Sequence, residues 1–258
     1  MKIAVLIAGQ LRHLEKLFQN QTFIKLLNCD IFIATDNFDY DTKTIISCEE
    51  LIAKAKYILG EQLKDCYIED NKDINFLLNL HKNENALISY DDRNPTSLFS
   101  GREACNRMIM KGYNMIEHYE NSNTFKYDIF IRSRSDLVFN QSILPFFEHI
   151  TDFNELALLN RTYPSGIQIC DNFVICKREV SEKYANVWYS TRTYRPPSPQ
   201  QDEDITIKKN NIGCNFACME KQLHRHIINN NLNFIYINDY IPELKHGICR
   251  GNYNDILR

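Results

Sequence analysis

At 258 residues the chain fits one sizeable α/β domain or two small ones, one domain with a late extension being the default, and it is long enough to bury a substantial core. Its 30 basic and 33 acidic residues leave a formal charge of −3, which gives no overall basic field for nucleic acid. Nine cysteines, an odd number scattered among apolar neighbours, speak against a disulfide framework and for reduced thiols in a cytoplasmic protein.

Lys2 to Ala8 is a near-continuous apolar run, the pattern of a strand covered on both faces in a parallel sheet. It is read as a first strand and not a signal peptide, because Gly9, Arg12 and His13 follow without a small-residue cleavage pattern. Leu14, Leu17 and Phe18 then open a helical pattern, and "CDIFIATD" gives a second strand ending at Asp36. Strand, helix and strand within about 35 residues have the size of a βαβ unit. Leu51, Ala55, Ile58 and Leu59 follow helical spacing, and "DCYIED" is a third short strand. Residues 71–97 are polar and weakly patterned, as in a long loop with a short helix. From Glu103, the positions Met108, Gly112, Met115, Ile116 and Tyr119 share one helical face.

The next strand opens "YDIFIRSRSDLVF", and "ELALLN" and "DNFVIC" supply two more. Val180, Tyr184, Val187 and Trp188 fall on one face of a following helix. The prolines of "TYRPPSPQQDED" remove donors and fix the backbone, so that stretch is a loop or linker. Phe216, Met219, Leu223 and Ile227 align on another helix before the strand "NFIYI" and the tail "PELKHGICRGNYNDILR". Strands alternating with helices predict a mostly parallel central sheet with helices on both faces, where ligands bind beyond the carboxyl ends of the strands. No window approaches the run of about 18 apolar residues needed for a membrane span. The chain is therefore expected in the cytoplasm, free or visiting the inner face of the membrane.

Charged residues gather at three predicted strand ends: "AGQLR" after the first, Asp36 after the second, and Arg132, Arg134 and Asp136 after the fourth. In an extended chain Arg132, Arg134 and Asp136 would share a side. Such a set suits an anion-and-metal site, with the carboxylate on a divalent cation and the guanidiniums on phosphate. It equally suits an internal Arg–Asp salt bridge. Cys214 and Cys218 lack a second pair at metal-site spacing, and His224 and His226, two apart, lie on different helix faces.

The order "KIAVLIAGQLR", "CDIFIATD", "YDIFIRSRSDLVF" and "GIQICDNFVICKREVSEKYANVWY" resembles glycosyltransferases of the GT-A fold, in particular small enzymes that build bacterial or viral surface polysaccharides. The resemblance implies a Rossmann-like α/β catalytic domain over residues 1–258, with a nucleotide-binding half at 1–140 and an acceptor-binding half at 141–258. It implies a nucleoside diphosphate sugar as donor, a surface glycan as acceptor, and manganese or magnesium. The family's Asp-x-Asp motif falls on "SRSD", where Arg134 replaces the first aspartate and leaves Asp136 as the motif's one metal ligand.

By the same resemblance Ala8, Gly9, Gln10 and Arg12 line the nucleotide pocket, and Asp36 takes the base or ribose edge. Arg102, in the stretch Ser100 to Arg102 before the long helix, reaches the donor sugar, while Arg132 and Arg134 grip the diphosphate. Asp171 is the catalytic base, with the acidic cluster Asp202, Glu203 and Asp204 as the other candidate, and His246 is a second metal ligand. Plain alternatives stand beside these roles: a strand turn at Gly9, a helix N-cap at Asp36, a solvated cap at Arg102 and an exposed tail histidine. The single glycine of "AGQLRH" fits no Gly-x-Gly-x-x-Gly dinucleotide fingerprint, and no P-loop ending is present. A sugar phosphotransferase or nucleotidyltransferase stays open, as does a non-catalytic carbohydrate-binding protein with a decayed nucleotide site, which the missing aspartate favours.

Overall fold

The structure, a computed structural model, describes residues 1–39, 42, 44–70, 95–139, 142–149, 155–163, 166–187, 223 and 226–241. At 39, 95–104, 148–149, 159–163, 166–171 and 238 it describes the backbone alone.

The strands are β1 (Ile3–Ala8), β2 (Asp30–Asp36), β3 (Phe38–Asp39), β4 (Thr44–Ile45), β5 (Leu63–Glu69), β6 (Ile129–Ser133), β7 (Leu156–Tyr163), β8 (Gly166–Lys177) and β9 (Phe234–Tyr236). The helices are α1 (Leu17–Asn20), α2 (Thr22–Leu26), α3 (Cys48–Leu59), α4 (Pro95–Ser122), α5 (Phe146–His149), α6 (Arg178–Ala185) and α7 (Ile237–Tyr240). Seven strands form one sheet in the order β5-β2-β1-β6-β8-β7-β9, while β3 and β4 make a small antiparallel pair. In the large sheet β8 alone runs against the others. The mixed α/β, mostly parallel architecture is the one expected.

Alternation in β1 sorts its side chains between two cores. Ile3, Val5 and Ile7 pack with Leu17, Phe23, Ile24, Leu51 and Ala55 from α1, α2 and α3. Ala4, Leu6 and Ala8 pack with Met108, Ile109, Tyr113 and Ile116 of α4 and Tyr184 of α6. Helices on both faces explain why every β1 residue is buried and why the strand reads as a continuous apolar run. Helix α3 starts where Ser47 Oγ accepts from the Glu50 amide at 3.1 Å, and it stops at Gly60, whose φ of 57° suits a residue without a Cβ.

Three local expectations need correction. The helix after β1 is broken into a 3-10 turn, α1 and α2, because Gln21 leaves helical geometry (φ −130°, ψ 65°) and sends its side chain to the end of β6. Helix α4 begins at Pro95, so Ser100 to Arg102 lie within it and not ahead of it. The strand read as "DNFVIC" begins earlier, because "GIQIC" is the first half of β8 and pairs with β7 from Tyr163–Gly166 to Leu159–Cys170.

At the edge of the sheet opposite the carboxyl ends of β1 and β6, where the antiparallel β8 ends, α4 and α6 are joined by a buried fork. Arg178 Nε and Nη2 donate to the two Glu120 oxygens at 2.8 and 2.7 Å, and the Tyr127 amide donates to Glu120 at 3.0 Å. Burial alone would raise the Glu120 carboxyl, but Arg178 and the Tyr127 amide outweigh it and hold the pKa below its ordinary 4.5. Within the window from 4.5 down to that lower value the unfolded chain binds more protons than the folded one, so stability falls as pH drops. Replacing Glu120 by Gln leaves a buried guanidinium short of its counter-charge and is expected to cost about 3–5 kcal/mol in urea unfolding at pH 7. The gap between wild type and variant is expected to narrow below pH 4.5; a constant gap would show that the carboxylate charge contributes nothing.

Candidate functional site

From β1 the sheet grows through β2 to β5 on one side, and β6 is laid on the other. The order therefore reverses between β1 and β6, and in such sheets the crevice beyond the carboxyl ends at that point is where ligands bind. The turns that follow these two strands carry Gly9 to Arg12 and Arg134 to Asp136.

Strand β6 stops at Ser133, and the chain turns, with the Leu137 amide 3.4 Å from the Arg134 carbonyl. Buried Gln21 braces the turn: its amide nitrogen donates to the Arg134 carbonyl at 2.6 Å, and its oxygen accepts from Ser133 Oγ at 2.7 Å. The Ser135 hydroxyl accepts from the Arg12 amide at 2.9 Å and lies 3.5 Å from the Gln10 carbonyl, tying this turn to the one after β1. Gly9 keeps its amide on the Ala34 carbonyl at 3.0 Å with φ 103°, in the region that disfavours a side chain.

Arg132, Arg134 and Asp136 do not line one side of an extended strand. Arg132 stays within β6, fully buried, and its Nη2 donates to Cys105 Sγ of α4 at 3.1 Å. Arg134 and Asp136 meet through the turn. Nε and Nη2 of Arg134 donate to the two Asp136 oxygens at 2.8 and 2.6 Å, and Arg12 Nη1 lies 3.9 Å from the same carboxylate. Burial would raise the Asp136 carboxyl, but Arg134 and then Arg12 outweigh it and hold it below the ordinary range. Burial likewise opposes the Arg134 charge, and Asp136 more than offsets that. Gln10 Oε1 accepts from Arg12 Nη2.

On the β2 side, Asp36 Oδ1 accepts from the Phe38 amide at 3.2 Å, closing a turn into β3 and not capping a helix. Beside it the Asn37 amide bonds the Glu69 carbonyl at 3.0 Å, and Glu69 forms a buried ion pair with Arg107 of α4. On the other side, Leu158 pairs with Val174 but Leu159 pairs with Cys170, so Asp171, Asn172 and Phe173 form a bulge. The bulge lies just past Arg132–Val174, the last pair between β6 and β8, and so beside the Arg134 turn. Asp171 thus sits within β8 and not at its start. Among the described residues, fully buried Asn172 has a hydrogen-bond partner for neither amide atom, and the buried Glu69 Oε2 and Thr35 Oγ1 have none either.

The structure thus brings together Ala8, Gly9, Gln10, Arg12, Arg132, Arg134 and Asp136, with Asp36 at the end of the neighbouring strand and the Asp171 backbone in the adjacent bulge. Arg102 is placed by its backbone in α4. His246, Asp202 to Asp204, Cys214, Cys218, His224 and Trp188 lie outside the described residues. Sequence reasoning missed Gln21, Ser135, Cys105, Glu69, Arg107 and Asn172. The rule that picked out Asp36, a charge at a strand's carboxyl end, would also have picked out Glu69.

A manganese or magnesium ion does not fit Asp136 as it stands. Both carboxylate oxygens accept from Arg134, the side chain is 2% exposed, and Arg12 approaches on the same oxygen. A hard cation needs open carboxylate oxygens and room for its waters. Among the described residues, no group of three or more His, Cys, Asp and Glu side chains is placed to hold a metal ion. No helix among them is long and apolar enough to cross a membrane.

Neither a protein-family model nor a curated protein sequence matches the chain. Among solved structures it is similar to the glycosyltransferase GlyE of Streptococcus pneumoniae TIGR4, with 14% identity and a TM-score of 0.41 over 93% of this chain and 46% of that one. The apo form of GlyE gives 12% identity and a TM-score of 0.40 over the same shares. The chain spans about half the length of these structures.

The Gly9 site gives a test of the turn. A Cβ there would lie 3.6 Å from Cys105 Sγ, an ordinary contact, so Gly9→Ala meets backbone strain and no clash. A loss of about 1–3 kcal/mol is expected in urea unfolding; unchanged stability would mean that φ at this position relaxes freely.

Proposed function

We propose that the chain is a glycosyltransferase of GT-A type that moves a sugar from a nucleoside diphosphate donor to a surface glycan, working on the cytoplasmic side of the membrane. The observation that carries this reading is the set of guanidiniums at the reversal of strand order, Arg12 from the β1 turn and Arg132 and Arg134 from β6 and its turn.

The diphosphate lies across the two joined turns. Ala8, Gly9 and Gln10 let it approach the backbone, and Arg12 and Arg134 donate to its oxygens as planar forks. Buried Arg132 adds positive potential from a dry position, where a charge acts more strongly than in water. Asp36 receives the base or ribose at the end of β2, and Arg102, from the first turns of α4, attends the donor sugar.

In the reaction the bond from the anomeric carbon to the diphosphate oxygen breaks, and that oxygen keeps the electron pair. The charge that develops on the leaving nucleoside diphosphate is stabilised by guanidiniums already in place. The acceptor hydroxyl forms the new bond to the anomeric carbon. With inversion of configuration, its proton passes to the Asp171 carboxylate.

The test is incubation of the full chain with UDP-, GDP- and dTDP-sugars, following release of the nucleoside diphosphate. One donor is expected to be turned over, and Asp171→Asn is expected to lower kcat by about 10²–10⁴ with donor affinity retained. Binding without turnover of any donor would point to a carbohydrate-binding protein. Release of pyrophosphate, or phosphate transfer to the sugar, would point to a nucleotidyltransferase or phosphotransferase.

A further inference from the structure

The Arg134–Asp136 pair has the connectivity of a clamp whose donor face is turned to a ligand. A guanidinium has five N–H donors. Asp136 engages Nε and Nη2 of Arg134 at 2.8 and 2.6 Å, while the two Nη1 hydrogens have no partner among the described residues. The pair is also graded in exposure: the Asp136 side chain is 2% exposed and the Arg134 side chain 17%. The carboxylate thus lies behind the guanidinium, which is the group nearer solvent. Gln21 holds the Arg134 carbonyl and Ser135 holds the neighbouring turn, so the side chain rises from a braced backbone. Around this pair guanidiniums outnumber carboxylates among the described residues, with Arg12 at 3.9 Å from Asp136 and Arg132 close enough to act on Arg134.

We infer that Asp136 is a positioning residue for Arg134, and that the site holds a diphosphate through arginine without a divalent cation on Asp136. The inference rests on the sugar-nucleotide reading above and specifies how that site is neutralised. The fork on Asp136 removes the rotational freedom of the guanidinium before the anion arrives, which lowers the cost of ordering it on binding. The cation's part in charge neutralisation passes to the arginines.

The experiment is calorimetric titration of the full chain with inorganic pyrophosphate, UDP, GDP and dTDP, each in EDTA and each with manganese. Pyrophosphate and one nucleotide are expected to bind with affinities that agree within about twofold in the two buffers. Arg134→Gln is expected to weaken both about tenfold or more, the size of one lost hydrogen bond to a charged group. Asp136→Ala, which leaves the guanidinium without its fork, is expected to weaken binding in EDTA, where a metal ligand's loss would change nothing. Affinity that manganese raises tenfold or more, or that Asp136→Ala leaves unchanged in EDTA, would overturn the inference and leave the sugar-nucleotide reading standing. Absence of binding by all four probes in both buffers would overturn that reading and the inference with it.

Discussion

The Ser135 hydroxyl accepts the Arg12 amide hydrogen at 2.9 Å and so joins the turns that follow the two central strands. Those strands, β1 and β6, pair in parallel from Ile3–Ile129 to Ile7–Ser133, and both then end. Beyond the last pair the chains would diverge if nothing held them. Ser135 holds the turns to each other, and Gln21 holds the β6 turn to the helical layer below. Arg12 and Arg134 can approach one carboxylate only because both turns are anchored. Each anchor is a polar side chain buried with its hydrogen bonds made, the arrangement in which a polar network specifies geometry.

Much of the fold was legible because burial on two faces leaves a plain trace. All seven strands of the large sheet were visible as short apolar or β-branched runs, and α4 showed its face through Met108, Gly112 and Ile116. Gly112 packs directly on Leu6, and the small residues Ala4 and Ala8 let the helix lie close to the sheet. What stayed hidden was decided by tertiary partners. The helix break at Gln21 has no proline or glycine to announce it; its cause is the backbone of a turn more than a hundred residues away. The bulge at Asp171 to Phe173 depends on how β7 and β8 pair, which no local pattern encodes. The hairpin of β3 and β4 is likewise too short for a period-two pattern to show.

The site was legible in its location and not in its connectivity. Alternation in "IRSRSD" suggested three side chains on one side of a strand, but the strand ends at Ser133, and the turn brings Arg134 and Asp136 together as a fork. Of the two readings offered for those residues, the internal salt bridge is what the structure shows, and the anion site is the proposal built on it. The guanidinium of that salt bridge is its more exposed partner, in the turn beyond the carboxyl end of β6. Cys105 and Arg107 were missed because they reach the site from α4, a helix whose sequence pattern reports only its apolar face.

The most direct test of the arginine cradle is a crystal structure of the full chain with inorganic pyrophosphate bound. The account predicts density between the turn of Gly9 to Arg12 and the turn of Arg134 to Asp136, with a pyrophosphate oxygen within hydrogen-bond distance of Arg134 Nη1 and the Arg134–Asp136 fork intact. Pyrophosphate bound at another face of the sheet, or a fork opened so that Asp136 faces a cation, would contradict it.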